Sequence, residues 1–260
     1  MKIGMCIRAK NSPFEAPRSA DFLELAAATA LLQYDKETIA RLKGEIASGS
    51  IRPYSCNVLM DPNLRLTGPE VNFSEIKSYC DRLFALLDEL NIRMLVFGSG
   101  QAKRVPDGFS VEKAWDQLFE LGYILSDKAK EYGHTVVVEP LSQVDCNIVN
   151  TLDEAAFYAK TVNRDNFKIL VDFYHFDKNG EDLDSIERNG SLLAHAHFAS
   201  KETRTPPRCE ADWAYFTQCV TALKKAGYDS HLSFEGRFTE ADDLEAMLIR
   251  MKEIERTITV

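Results

Sequence analysis

The feature that most constrains this chain is an alternation. Short β-rich apolar runs are followed, again and again, by longer segments with helical spacing. The runs at 2–7, 55–60, 92–98, 134–140, 167–173, 192–198 and 231–235 read as strands. The run at 21–27 reads equally as a strand or as the start of a helix. Helical segments are expected at 35–48, 74–91, 110–132, 151–162, 183–189, 212–226 and 240–255. In 35–48, Ile39, Leu42 and Ile46 share one side; in 74–91, Ile76, Tyr79, Leu83, Leu86, Leu87 and Leu90 recur at three- and four-residue intervals. Thr151 with Glu154 three residues on forms a capping-box pattern, and Gly133 and Gly227 are placed to end helices.

About eight strands, nearly all followed by a helix, imply a parallel sheet with helices outside. No Pro/Gly/Ser-rich linker divides the 260 residues. The predicted fold is therefore α/β, a single (β/α)8 TIM barrel over 1–260. Its first βα unit is expected to be irregular, because Pro13 and Pro17 interrupt 9–20.

Composition narrows the partners. Lys and Arg number 31 against 40 Asp and Glu, a formal charge of −9. Such a chain lacks the basic footprint that binds a nucleic-acid backbone, and an anionic membrane surface would repel it. No run of 18 apolar residues predicts a transmembrane helix, and residues 1–11 lack the apolar core of an export signal. Six scattered cysteines without a CxxC pair suggest reduced thiols and a cytoplasmic location. Self-association is left open.

In a barrel of this type the active site lies at the C-terminal ends of the strands. The last four strands each deliver a polar residue there: Glu139, Asp172, His197 and Glu235. Each alone reads as a helix cap or a rim ion-pair partner. At four successive strand ends the coincidence favours function. Three carboxylates facing one another repel unless protons or a cation neutralise them. With one imidazole they form an oxygen-rich set suited to Mn²⁺, with Mg²⁺, Co²⁺ or Zn²⁺ as alternatives. His195, two residues before His197 on the same strand face, is expected one layer deeper.

At this point the residues carry a resemblance. The stretches 95–109, 136–151, 169–176, 195–207 and 227–237 resemble the xylose isomerase-like barrel superfamily, with its sugar (phosphate) isomerases and epimerases and its endonuclease IV type of AP endonuclease. The resemblance implies one divalent metal on Glu139, Asp172, His197 and Glu235. It also implies Glu139 and Glu235 as acid and base acting through an enediolate. His175, Asp145 and an arginine after the HxH strand, Arg204 in preference to Arg208, are implied to hold the substrate. Glu24, Asn57 and Ser99, near the ends of strands two to four, are expected beside them. Two positions depart from the pattern of ketose 3-epimerases: 142–145 reads Ser-Gln-Val-Asp where Asn-Arg-Phe-Glu is usual, and Ser200 replaces an acidic residue.

The expected function is a metal-dependent sugar or sugar-phosphate isomerase or epimerase with a small-molecule substrate. The alternative is a dehydratase of a keto-inositol or related keto acid. The AP endonuclease and a non-catalytic sugar binder are weaker readings. The nuclease members use extra histidines near strands two to four, and all five histidines here lie after residue 133. Glycines 98 and 100 read either as a phosphate cradle or as a tight turn. The Lys103/Arg104 and Lys201/Arg204/Arg208 groups read as anion grips or as solvated loops. Trp115 and Trp213 read as packing residues.

Overall fold

The computed structural model describes residues 1–8, 17–26, 28–49 and 52–260. Eight parallel strands close into a barrel in sequence order, with β1 (Lys2–Arg8) paired to both β2 (Leu23–Ala26) and β8 (His231–Phe234). Between them lie β3 (Pro53–Cys56), β4 (Met94–Phe97), β5 (Thr135–Val138), β6 (Phe167–Asp172) and β7 (Leu193–Phe198). The helices are α1 (Ala28–Leu31), α2 (Lys36–Ala47), α3 (Phe73–Glu89), α4 (Gly100–Lys103), α5 (Val111–Glu131), α6 (Leu152–Val162), α7 (Phe173–Lys178), α8 (Asp184–Arg188), α9 (Glu210–Lys225) and α10 (Leu244–Thr257). The chain is a TIM barrel.

The ambiguous run at 21–27 is a strand over Leu23–Ala26, while Ala27 lies outside the described residues. So do residues 9–16, most of the segment for which an irregular first unit is expected. Several boundaries differ from expectation, three of them with a local cause or a shifted start. The strand sought at 55–60 stops at Cys56, because Val58 adopts a positive φ of 50° that a strand cannot continue. The helix sought from 212 starts two residues earlier, with Cys209 as its N-cap. The last helix starts at Leu244 because the Asp243 side chain accepts from the Ala246 amide.

Other local signals hold. Thr151 and Glu154 form the reciprocal capping box of α6. Gly133 and Gly227 follow α5 and α9 with φ of 67° and 72°, the left-handed conformation that glycine adopts without a Cβ penalty. Trp115 packs edge-on against Tyr158 and Phe157, and Trp213 packs against Phe216 under the Arg250 guanidinium.

A period of two sorts the strand residues. Ile3, Met5, Val136, Val138, Ile169, Val171, Ala196, Phe198, Leu232 and Phe234 join the large core that the helices cover. Their alternates Val96, Val137 and Leu170 form a separate small cluster on the other strand face, inside the barrel. Continued toward the C-terminal mouth, the inward parity reaches Arg8, Glu139, Asp172, His197 and Glu235.

Away from the mouth, Glu181 is an acid in a poor solvent. Burial pushes its pKa up to about 7, although the Leu152 amide at the start of α6 donates to it at 2.7 Å. Between its ordinary pKa and 7 the folded chain holds a proton that the unfolded chain has released, so this group's contribution to stability falls as pH rises through that window. Glu181→Gln keeps the acceptor and removes the titration. Urea midpoints from pH 4.5 to 7.5 are expected to rise for the variant relative to the parent, and a constant difference would refute the assignment.

Candidate active site

Glu139, Asp172, His197 and Glu235 meet at the mouth, with one ligand atom from each lying within 4.8 Å of the others. His197 Nδ1 is 3.4 Å from Glu139 Oε1, 3.4 Å from Glu235 Oε2 and 3.9 Å from Asp172 Oδ2. Among the described residues this buried nitrogen has no hydrogen-bond partner of good geometry.

Each member is held from behind. Asp172 spends Oδ1 on the first amides of α7, Tyr174 at 2.7 Å and His175 at 3.3 Å, which leaves Oδ2 facing the cluster. It is therefore both a helix cap and a site residue. Glu235 accepts from Asn57 Nδ2 at 2.6 Å and from Arg204 Nη2 at 2.5 Å. Glu139 is positioned by its main chain: the buried Lys103 ammonium donates to the Glu139 carbonyl at 3.1 Å. Burial lowers the pKa of Lys103.

Beneath the cluster lies a polar floor. Glu24, with no exposed surface, accepts at Oε2 from Ser55 Oγ (2.8 Å), Ser233 Oγ (2.8 Å) and His195 Nε2 (2.7 Å), and at Oε1 from His197 Nε2 (3.0 Å). Burial opposes its charge, but the charges of His197 and His195 hold its pKa well below the usual carboxylate range. An ionised carboxylate only accepts, so both imidazoles present N–H at Nε2. Burial opposes the charge of His197 too, but Glu24, Glu235 and Glu139 outweigh it and raise its pKa well above the ordinary range. A divalent ion that displaced the Nδ1 proton would meet a lone pair aimed at the three carboxylates. The buried, unpartnered nitrogen beside three carboxylates is the donor set a divalent ion requires.

The two glutamates are driven apart electrostatically. Burial, reinforced by the charge of Glu235, raises the Glu139 pKa. Burial acts on Glu235 too, but there His197 and Arg204 outweigh it and hold the carboxyl far below its ordinary range.

The remaining expected residues separate into two groups. Asn57 and Arg204 touch the cluster, and Arg204 also stacks on Tyr174 at 5.0 Å. His175 lies beside it, with Nε2 3.9 Å from Asp172 Oδ2 and Nδ1 accepting from the Ser142 amide at 3.2 Å. Asp145 is one step out, 3.6 Å from His175 Nδ1 and receiving the Ser142 hydroxyl at 2.6 Å. Glu24 and Ser99 do not face the mouth. Glu24 is the floor, and Ser99 Oγ accepts from the Met60 amide at 2.9 Å. Arg208 points away, paired with Asp242 at 2.8 Å.

Of the two readings of residues 98–100, close packing accounts for the glycines. A Cβ on Gly98 would sit 2.1 Å from Glu139 Oε2, and one on Gly100 would sit 2.9 Å from the Asp145 carbonyl oxygen. The glycines make room for the Glu139 carboxylate and its loop. Gly98→Ala is expected to displace that carboxylate, with an overpacking cost of about 1–3 kcal/mol and weaker Mn²⁺ binding in a calorimetric titration. Parent-like affinity would refute it.

Lys103, read as an anion grip or a solvated loop residue, is instead buried with its ammonium on the Glu139 carbonyl. Cys6, Arg8 and Arg237 were not singled out by sequence. For Cys6 and Arg8 the signal was present in the strand period, since Ile3, Met5 and Ile7 occupy the opposite face of β1.

A closed eight-stranded barrel with three carboxylates and an imidazole at its strand ends defines a TIM barrel with a candidate divalent-metal centre. A family model described as the xylose isomerase-like TIM barrel matches residues 18–254, and the chain belongs to that family. It is 25% identical over 228 residues to the inosose isomerase of Halalkalibacterium halodurans, covering 83% of this chain and 77% of that protein. It is 29% identical over 125 residues to the 3-dehydro-D-guloside 4-epimerase of Escherichia coli K12, covering 47% of this chain and 46% of the relative. A D-psicose 3-epimerase of Agrobacterium fabrum matches over 48% of its own length, so this match and the E. coli one span about half of each relative. Among solved structures, the D-psicose 3-epimerase of Clostridium cellulolyticum H10 superposes with a TM-score of 0.76 at 18% identity, covering 98% of both chains. The IOLI protein, described with a bound zinc atom, superposes at 0.66 and 20% identity, covering 98% of this chain and 96% of that one.

Proposed function

We propose that this protein is a divalent-metal-dependent isomerase or epimerase of a small sugar or cyclic polyol ketone, moving a proton at a carbon beside a carbonyl. The observation that carries the reading is the pair Glu139 and Glu235, each with an oxygen 3.4 Å from His197 Nδ1 and each delivered by strand ends separated by β6 and β7. Relatives named as sugar epimerases and inosose isomerases support it.

Glu139, Asp172, His197 and Glu235 would hold the ion, which as a Lewis acid stabilises charge developing on the substrate's carbonyl oxygen. Mn²⁺ fits the three-oxygen, one-nitrogen donor set best. Glu235, kept ionised by Arg204 and His197, removes the proton. Glu139, whose burial favours the protonated form, returns one from across the site. Arg204 and Asn57 orient Glu235 through its two oxygens. His175 Nε2–H is available to a substrate hydroxyl, because its Nδ1 accepts from Ser142.

The test is solvent deuterium exchange followed by NMR across ketoses, aldoses and an inosose with Mg²⁺ present. Exchange into carbon positions beside the carbonyl is expected, abolished by chelation and restored by metal. Loss of water in place of exchange would mark a dehydratase, and no exchange or turnover across the panel would refute the reading.

A further inference from the structure

A cavity of about 760 Å³ opens on the mouth, bordered by Cys6, Arg8, Asn57, Arg204, Glu235 and Arg237 among others. Its charged lining is three guanidiniums and one carboxylate. Glu235 is already matched by Arg204. Among the described residues, no carboxylate pairs with Arg8 or with Arg237, and both are exposed.

That imbalance stands out in a chain with a net charge of −9. The other basic groups around the mouth are committed. Lys201 faces Asp177 at 3.6 Å, Arg208 faces Asp242 at 2.8 Å, Arg104 donates to the Val144 carbonyl at 3.0 Å, and Lys103 is buried on Glu139. Arg8 reaches the cavity by the inward parity of β1. Arg237 follows Glu235 by two residues, and its amide donates to the Arg204 carbonyl at 2.7 Å. Both guanidiniums therefore stem from backbone tied to the site. A bound divalent ion would be matched by the Glu139, Asp172 and Glu235 carboxylates, leaving none of these for Arg8 or Arg237.

A neutral sugar would leave these two guanidiniums in one cavity without a counter-charge among the described residues. A planar guanidinium fork matches the paired oxygens of a phosphate or a carboxylate. We propose that the substrate carries an anionic group, a phosphate ester or a carboxylate, remote from the reacting carbon and held by Arg8 and Arg237. This rests on the sugar isomerase or epimerase reading and narrows its substrate class. Binding energy from the remote group would position the carbon that loses its proton.

The test compares D-fructose, D-fructose 6-phosphate and D-fructuronate, by thermal shift for binding and by deuterium exchange for turnover. At least one anionic sugar should bind about 10-fold or more tighter than fructose. Which of the two gains more separates phosphate from carboxylate. The preference should shrink between 10 and 500 mM salt, and it should fall toward one in an Arg8→Gln/Arg237→Gln double variant. A preference that survives the double variant, or equal binding of all three sugars, overturns the inference. Exchange on fructose without a charge preference overturns it while leaving the isomerase reading intact. A charge preference in binding without exchange on any sugar supports the anion site and counts against the isomerase reading.

Discussion

Glu235→Gln is expected to lower turnover by about 10²–10⁴-fold, the usual contribution of a positioned general base. Glu139→Gln should cost a similar factor, but the two losses should differ in kind. Glu235 stays ionised because His197 and Arg204 outweigh its burial. Glu139 is pushed toward its protonated form by burial and by Glu235. With Glu235 replaced, both solvent exchange and product formation should disappear. With Glu139 replaced, Glu235 still removes and returns the proton on its own face, so washout of the substrate proton into D₂O should persist while inverted product is lost. Each glutamine is also a poorer metal ligand, so both variants are assayed at saturating Mg²⁺ after a binding titration. Parent-like turnover in both would remove the proposed roles. Identical loss of exchange in both would leave two bases of equal rank and remove the asymmetry.

The sequence exposed this pair because both glutamates directly follow short buried strands, where a charged residue stands out. The same applies to Asp172 and His197. Depth was harder to read. Glu24 occupies the second position of β2, and its level in the barrel depends on pairing register, which shifts between Leu23 and Glu24. A residue assigned to the rim therefore becomes the floor. The basic loop residues misled for a related reason. A cluster such as Lys201, Arg204 and Arg208 is adjacent in sequence, yet Arg204 turns inward from a positive φ of 53° while Arg208 turns outward to Asp242. Loop direction is set by tertiary hydrogen bonds that no local pattern encodes. The glycines at 98 and 100 show the same limit, since their need for space comes from Glu139, Leu141 and Asp145 on the next βα unit.

The floor yields the second large effect. Glu24→Ala leaves two imidazole N–H groups and two hydroxyls without their acceptor in a space closed to water, at a cost of about 3–5 kcal/mol. For a chain of this size that is roughly a 6–20 °C fall in Tm. Glu24→Gln separates stability from metal binding. An amide has one accepting end. Placing that oxygen at the Oε2 position keeps three donors, Ser55, Ser233 and His195, whereas placing it at Oε1 keeps one. The favoured arrangement points the amide N–H₂ at His197 Nε2, which must then accept. His197 then keeps its proton at Nδ1, in the space between the three carboxylates, and gives up the one at Nε2 instead, so the lone pair that a metal would use is harder to expose. Glu24→Gln is therefore expected to fold with a small loss in Tm but to bind Mn²⁺ about 10–100-fold more weakly, the range typical when the group behind a metal-binding histidine is changed. Calorimetric titration reads the affinity, and ¹⁵N shifts of the imidazole followed to high pH read which ring nitrogen of the metal-free protein gives up its proton, and so the tautomer. Parent-like affinity together with an unshifted His197 tautomer would show that Glu24 supports the barrel without setting the ligand.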